Sequence, residues 1–164
     1  MQRKIEKIRN SKFVPARQHS GAICNFTNLR IALVVSEYNS DITFPMRDSA
    51  LETLIENGVV KKNITVWNAP GGFEIPIICQ QLAMSKKYQG LVAIGCVIKG
   101  DTDHYVYISN EATRGIMDVM LKYNIPITNA ILTVNNLEQA KLRSVGANNK
   151  GIEGAIALLK VLNQ

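Results

Sequence analysis

His104 stands where a side chain could move protons beside a bound anion. It follows the turn Gly100-Asp101-Thr102-Asp103, which ends an apolar run over residues 91–98, and a helical pattern begins at His104 itself. A strand, a tight turn and a helix N-terminus in that order leave unpaired backbone N–H groups pointing outward, a natural anion site. A histidine there can act as acid or base near neutral pH. Three further polar clusters accompany it. Glu37-Tyr38-Asn39 offers an acid, a ring and an amide. Pro70-Gly71-Gly72-Phe73-Glu74 offers a sharp turn and a second carboxylate. Asn135 leads to the cations Arg143 and Lys150. Taken singly these are ordinary features. Tyr38 reads as a core-edge aromatic, Glu74 as a charge favourable at a helix N-terminus, and Arg143 as a solvated helix charge.

The elements between the clusters give them a common place. Residues 29–36 form a continuous apolar run bounded by polar residues, the mark of a strand buried on both faces. Residues 41–57 are helical, with Ile42, Met46, Leu51, Leu54 and Ile55 on one face and a stop at Asn57-Gly58. Residues 64–68 are rich in β-branched side chains and Trp67, a strand pattern. Residues 73–88 read as a helix that tolerates Pro76 in its first turn. A strand over 91–98, a helix over 104–123 and a strand over 126–134 follow. Helices over 136–144 and 151–162 end the chain. Strands alternating with helices predict a three-layer α/β/α sandwich on a mainly parallel four-stranded sheet, with flavodoxin-like topology. Ligands of such sheets sit beyond the carboxyl ends of the strands, where all four polar clusters fall.

Composition narrows the field. At 164 residues and 46% hydrophobic, the chain suits one domain with a sizeable core. No apolar run approaches membrane-spanning length, and the basic N-terminus lacks the apolar centre of a secretory signal. The three cysteines, Cys24, Cys79 and Cys96, are odd in number and lack metal-ligand spacing. They fit a reducing cytoplasm, with Cys79 and Cys96 as small core residues. Charge is uneven. Residues 1–20 hold Arg3, Lys4, Lys7, Arg9, Lys12 and Arg17 against Glu6 alone, five of the net +6. No aromatics interleave with these cations and no nucleic-acid motif appears, so residues 1–28 read as a basic, flexible arm and not as a nucleic-acid module. Residues 29–164 form the domain.

In order and spacing the clusters closely resemble the lumazine synthase family. The matching stretches are Glu37-Tyr38-Asn39 after the first strand, PGxFEIP over 70–76 and GxVI[RK]GxTxH over 95–104. ILTxxNxEQAxxR over 131–143 and NKG over 149–151 complete the set. The resemblance covers residues 30–162. It implies an enzyme of riboflavin biosynthesis. The reaction joins 5-amino-6-(D-ribitylamino)uracil to 3,4-dihydroxy-2-butanone 4-phosphate and gives 6,7-dimethyl-8-ribityllumazine, phosphate and water. The chemistry is imine formation, phosphate elimination and ring closure, with no metal and no cofactor.

The resemblance also implies residue roles. His104 is the catalytic proton carrier. Arg143 binds the phosphate, helped by Asp101 and Thr102 through the turn. Asp101 stands where many relatives carry a small residue, so its N–H should face the phosphate and its carboxylate should face away. Tyr38 stacks on the pyrimidine, where Phe or Trp is often found. Asn39, Gly72, Phe73, Cys96, Val97 and Ile98 line the ring pocket, and Glu74 accepts hydrogen bonds from the ribityl hydroxyls. Lys150 reaches the ring system. Asn129 falls where some relatives place an aromatic. Glu153 pairs with Arg143 and holds its fork.

By the same resemblance the protein is a homopentamer with sites between neighbouring subunits. Tyr38, Glu74 and His104 come from one copy, and Asn129, Arg143 and Lys150 from the next. Riboflavin synthase, which consumes the product, is an implied partner. Pro15 in the arm and a short turn between Arg143 and Lys150 favour a free pentamer over a shell. Three rival readings share the fold: a non-catalytic flavin or lumazine carrier, a structural shell protein, and a riboflavin-forming enzyme that condenses two lumazines. None needs Thr102, His104 and Arg143 together.

Overall fold

The computed structural model describes residues 25–164. Among these residues four strands form one all-parallel sheet: β1 (Ile31–Ser36), β2 (Ile64–Ala69), β3 (Gly90–Ile98) and β4 (Ile127–Val134), in the order β2-β1-β3-β4. Ile31 pairs with Ile64 on one side and Gly90 on the other, and Leu91 pairs with Ile127. Five α-helices connect or follow the strands: α1 (Ser40–Glu56), α2 (Ile75–Met84), α3 (His104–Tyr123), α4 (Leu137–Leu142) and α5 (Lys150–Leu162). The expected three-layer sandwich is what forms.

Period-two side-chain alternation on the central strands builds two cores. Ile31, Leu33 and Val35 face one layer, with Ile42, Met46 and Leu54 of α1 and Leu158 and Leu159 of α5. Ala32 and Val34 face the other, with Ile75 and Cys79 of α2 and Ile116 and Val119 of α3. Every residue of β1 is buried, as expected for an apolar run covered by helices on both faces. The edges differ. Residues 65–68 of β2 are exposed, Val66 and Trp67 among them.

Several boundaries have local causes. Helix α1 ends where Gly58 takes φ +98°, a conformation that L side chains rarely adopt. Helix α2 is shorter than the expected 73–88. Ser85 Oγ donates to the Leu82 carbonyl, Lys86 turns into the left-handed region and the chain leaves the helix there. Tyr88 then packs on the second core and its hydroxyl accepts from Trp67 Nε1 at 3.1 Å. Helix α4 spans six residues inside the expected 136–144. Asn136 caps it by accepting from the Gln139 N–H, and Gln139 Oε1 accepts in turn from the Asn135 N–H. Phe26, which the sequence pattern assigns to the arm, is buried in the first core. Pro15 and Cys24 lie outside the described residues. No helix among the described residues is long and apolar enough to cross a membrane.

Candidate active site

The sheet order reverses between β1 and β3, and a cleft of about 420 Å³ opens beyond their carboxyl ends. Four segments wall it. Tyr38 follows β1. Gly71, Gly72, Phe73 and Glu74 lead into α2. Cys96, Val97 and Ile98 end β3. Gly100, Thr102, His104, Tyr105 and Ile108 form the turn and first turns of α3. The resemblance implied nine of these, Tyr38, Gly72, Phe73, Glu74, Cys96, Val97, Ile98, Thr102 and His104, and one chain brings them to one cavity. The remaining four carry weaker signals. Gly71 and Gly100 are turn glycines inside the matched motifs. Ile108 lies four residues after His104 and shares its helix face. Tyr105 is its neighbour in sequence, with Lys99 Nζ 5.8 Å from its ring centre.

Backbone bonds fix the cleft walls. The Glu37 N–H donates to the Ala69 carbonyl at 2.8 Å and the Tyr38 N–H to the Pro70 carbonyl at 3.1 Å. Asn68 Nδ2 donates to Glu37 Oε1 at 3.0 Å. These bonds carry the pairing of β1 and β2 into the loops. Asn39 sits in the left-handed region, with φ 59° and ψ 44°, a place where asparagine is enriched. Its Nδ2 donates to the Cys96 carbonyl at 2.9 Å across the switch point. Asn39 does not line the cleft, and its side chain ties the end of β3 to the loop after β1. On the far wall the Lys99 N–H donates to the Val134 carbonyl at 2.9 Å.

The electrostatics suit an anion on one side and a planar group on the other. Helix α3 is 20 residues long, and its N-terminus presents His104 to the cavity, with Thr102 in the turn just before it. The His104 N–H reaches Thr102 Oγ at 3.5 Å. Asp101 is exposed and stands outside the lining that its neighbours Gly100 and Thr102 form. Tyr38 is 70% exposed and Phe73 55%, two aromatic faces at the cleft mouth. Glu74 Oε2 lies over Gly71, 3.0 Å from where a side chain there would begin. Cys96 contributes mainly backbone: its side chain is buried, and burial pushes the thiol up to about 11.

The other anticipated residues gather elsewhere. Arg143, Lys150 and Glu153 lie on α4, α5 and the loop between them, elements that pack on the first core, whereas α2 and α3 pack on the second. Arg143 Nη2 donates to Glu153 Oε1 at 3.0 Å, and Lys150 Nζ to Glu153 Oε2 at 3.0 Å. Among the described residues the other two guanidinium nitrogens of Arg143 have no hydrogen-bond partner, so part of its fork can take an anion. Asn129 lies on β4, where its Oδ1 accepts from the Ile131 N–H at 2.9 Å and its Nδ2 reaches Thr113 Oγ at 3.4 Å. None of these residues lines the cleft.

Comparison with known proteins agrees with the motifs. A family model described as 6,7-dimethyl-8-ribityllumazine synthase matches residues 28–164. A protein of that name from Cytophaga hutchinsonii is 42% identical over 147 residues, covering 89% of this chain and 92% of its own length. One from Desulfovibrio desulfuricans is 40% identical over 135 residues, 82% of this chain and 86% of its own. Among solved structures, a de novo designed Rossmann fold protein covers 70% of this chain at a TM-score of 0.40 and 13% identity. The match spans the cleft and the Arg143 cluster together, and on that ground the chain belongs to the 6,7-dimethyl-8-ribityllumazine synthase family.

Proposed function

We propose that this cleft, completed by a second copy of the chain, condenses 5-amino-6-(D-ribitylamino)uracil with 3,4-dihydroxy-2-butanone 4-phosphate. The products are 6,7-dimethyl-8-ribityllumazine, phosphate and water, which makes the protein a transferase of riboflavin biosynthesis. The observation that carries the reading is the meeting of Tyr38, Glu74, Thr102 and His104 in one cavity. The pyrimidine stacks on Tyr38, and the backbone of residues 96–98 meets its edge. Glu74 accepts from the ribityl hydroxyls. The phosphate binds at the first turn of α3, against the Thr102 hydroxyl and backbone N–H groups, with the Asp101 carboxylate turned away. Arg143 closes on it from the neighbouring copy, which also brings Lys150 and Asn129.

The residues then have distinct duties. The cleft holds amine and carbonyl together, which removes much of the entropic barrier to the carbinolamine. His104 protonates the departing hydroxyl as the imine forms and assists phosphate loss. Arg143 and the helix N-terminus stabilise the leaving phosphate. Glu153 holds Arg143 through Nη2 and leaves the rest of the fork to the substrate. We place the protein in the cytoplasm, as a homopentamer that hands its product to riboflavin synthase.

The test is a turnover assay following lumazine absorbance and released phosphate together, with the uncatalysed condensation subtracted. Equal production of both, and a raised KM for the butanone phosphate in Arg143→Ala, are expected. No production above background, with tight binding of lumazine, would make the protein a carrier.

A further inference from the structure

Arg143 and Lys150 are the two ends of a short loop, and one buried side chain holds that loop. Asn149 is fully buried. Its Nδ2 donates to the carbonyl of Ser144, the residue after Arg143, and to Ser49 Oγ of α1 at 2.9 Å. Its Oδ1 accepts from the N–H of Gly151, the residue after Lys150, at 2.8 Å. Its own N–H donates to the Gly146 carbonyl at 3.2 Å, and its carbonyl accepts from the Glu153 N–H at 3.3 Å. The Lys150 N–H closes the loop onto the Arg143 carbonyl at 2.9 Å. Below the loop, a Cβ on Gly151 would stand 2.0 Å from the Met46 carbonyl oxygen, so α5 starts in direct contact with the α1 backbone.

Capping α5 needs only the acceptor at Oδ1, which Asp, Ser or Thr would also supply. The two donor bonds are what the amide adds. They do nothing for the helix. They tie the peptide after Arg143 to α1, while Oδ1 ties the peptide after Lys150.

We propose that Asn149 is a positioning residue for phosphate recognition, its amide donors clamping the peptide after Arg143 to α1 through Ser144 and Ser49. The inference rests on the reading that Arg143 holds the substrate phosphate. Asn149→Asp tests it, because the shape and the cap acceptor are kept while the amide donors are lost. The buried carboxylate then faces the Ser144 carbonyl with no donor between them.

Steady-state constants would be measured for wild type, Asn149→Asp, Arg143→Ala and the double variant, with thermal unfolding of each. The expected result has three parts. KM for the butanone phosphate rises about tenfold in Asn149→Asp. KM for the pyrimidine stays near wild type. The double variant is no worse than Arg143→Ala, as for two residues acting through one contact. Effects that multiply in the double variant, or equal rises in both KM values, would overturn the clamp. So would an unchanged Asn149→Asp beside an impaired Arg143→Ala, and the phosphate reading would then survive alone. An Arg143→Ala with unchanged KM would remove that reading and the clamp together. If Asn149→Asp fails to fold, Ser49→Ala takes its place, with the same pattern expected at about threefold.

Discussion

His104 enters the cleft from the first residue of α3 and Thr102 from the turn just before it, so charge and proton transfer are organised by neighbouring residues. His104→Ala should lower the turnover number about 10²-fold with KM values little changed, the usual size of a general acid–base contribution. A residual rate above background should persist, because the two reactants remain positioned. Turnover equal to wild type would take His104 out of the chemistry. Tyr38 makes a separate prediction. Its ring is exposed, so Tyr38→Phe should bind the pyrimidine as before, while Tyr38→Ala should raise its KM about tenfold, about 1.4 kcal/mol. The buried thiols predict a pH effect. Burial pushes Cys79 from 9.0 up to about 12 and Cys96 from 9.0 up to about 11. Above pH 9 the unfolded chain therefore releases protons that the folded chain keeps, and stability falls as pH rises. Melting temperatures from pH 8.5 to 11.5 should decline less steeply in Cys79→Ala than in wild type, and parallel curves would count against this. At this scale the sequence was informative about residue type and not always about duty. The resemblance gives Asn39 a place in the pocket wall; in the fold its Nδ2 donates to the Cys96 carbonyl 57 positions away and it does not line the cleft, a pairing that only the β1–β3 register creates.

Helices and strands were legible where pattern and punctuation agreed. The run over 91–98 and the period from His104 to Tyr123 match β3 and α3 closely, because buried parallel strands and long amphipathic helices leave strong periodicities. Helix α2 ends four residues early because Lys86 adopts φ 54° without a glycine to announce it. The core contacts between elements were not legible at all. Nothing local marks Gly151 as the point where α5 meets the α1 backbone, since the clash arises with Met46, a hundred residues earlier. Gly151→Ala should therefore destabilise the fold by about 3 kcal/mol, at the upper end of overpacking costs, since the group in the way is backbone and has no rotamer to change. Gly154 is the control. A Cβ there would meet the Ala130 methyl at 3.1 Å and Val92 Cγ1 at 3.2 Å, side chains that need give only a few tenths of an ångström. Gly154→Ala should shift the unfolding temperature less than Gly151→Ala, and the reverse order would mean that α5 is not seated against α1 in this way.

At the scale of the whole molecule, the two halves of the proposed site lie in different layers of one chain. The cleft belongs to the α2 and α3 layer, and Arg143, Lys150 and Glu153 belong to the layer of α1 and α5. If, as proposed, two copies of the chain supply the two halves to one substrate, variants in opposite halves should rescue each other. In the proposed pentamer, His104→Ala and Arg143→Ala subunits, denatured together and reassembled at equal ratio, should meet neighbours at random. A site is intact when its cleft comes from an Arg143→Ala subunit and its phosphate arm from a His104→Ala subunit, which holds for roughly one site in four under random mixing. Activity should rise from near background in each parent to roughly one quarter of wild type in the mixture. A site contained within a single chain would give no rise, since every chain in the mixture carries one defect. Varying the ratio sharpens the test. With fraction f of one subunit the intact share is f(1 − f), so activity should peak at equal ratio and fall symmetrically on either side. A linear dependence on f would mean that one variant retains activity by itself, and the shared site would be wrong.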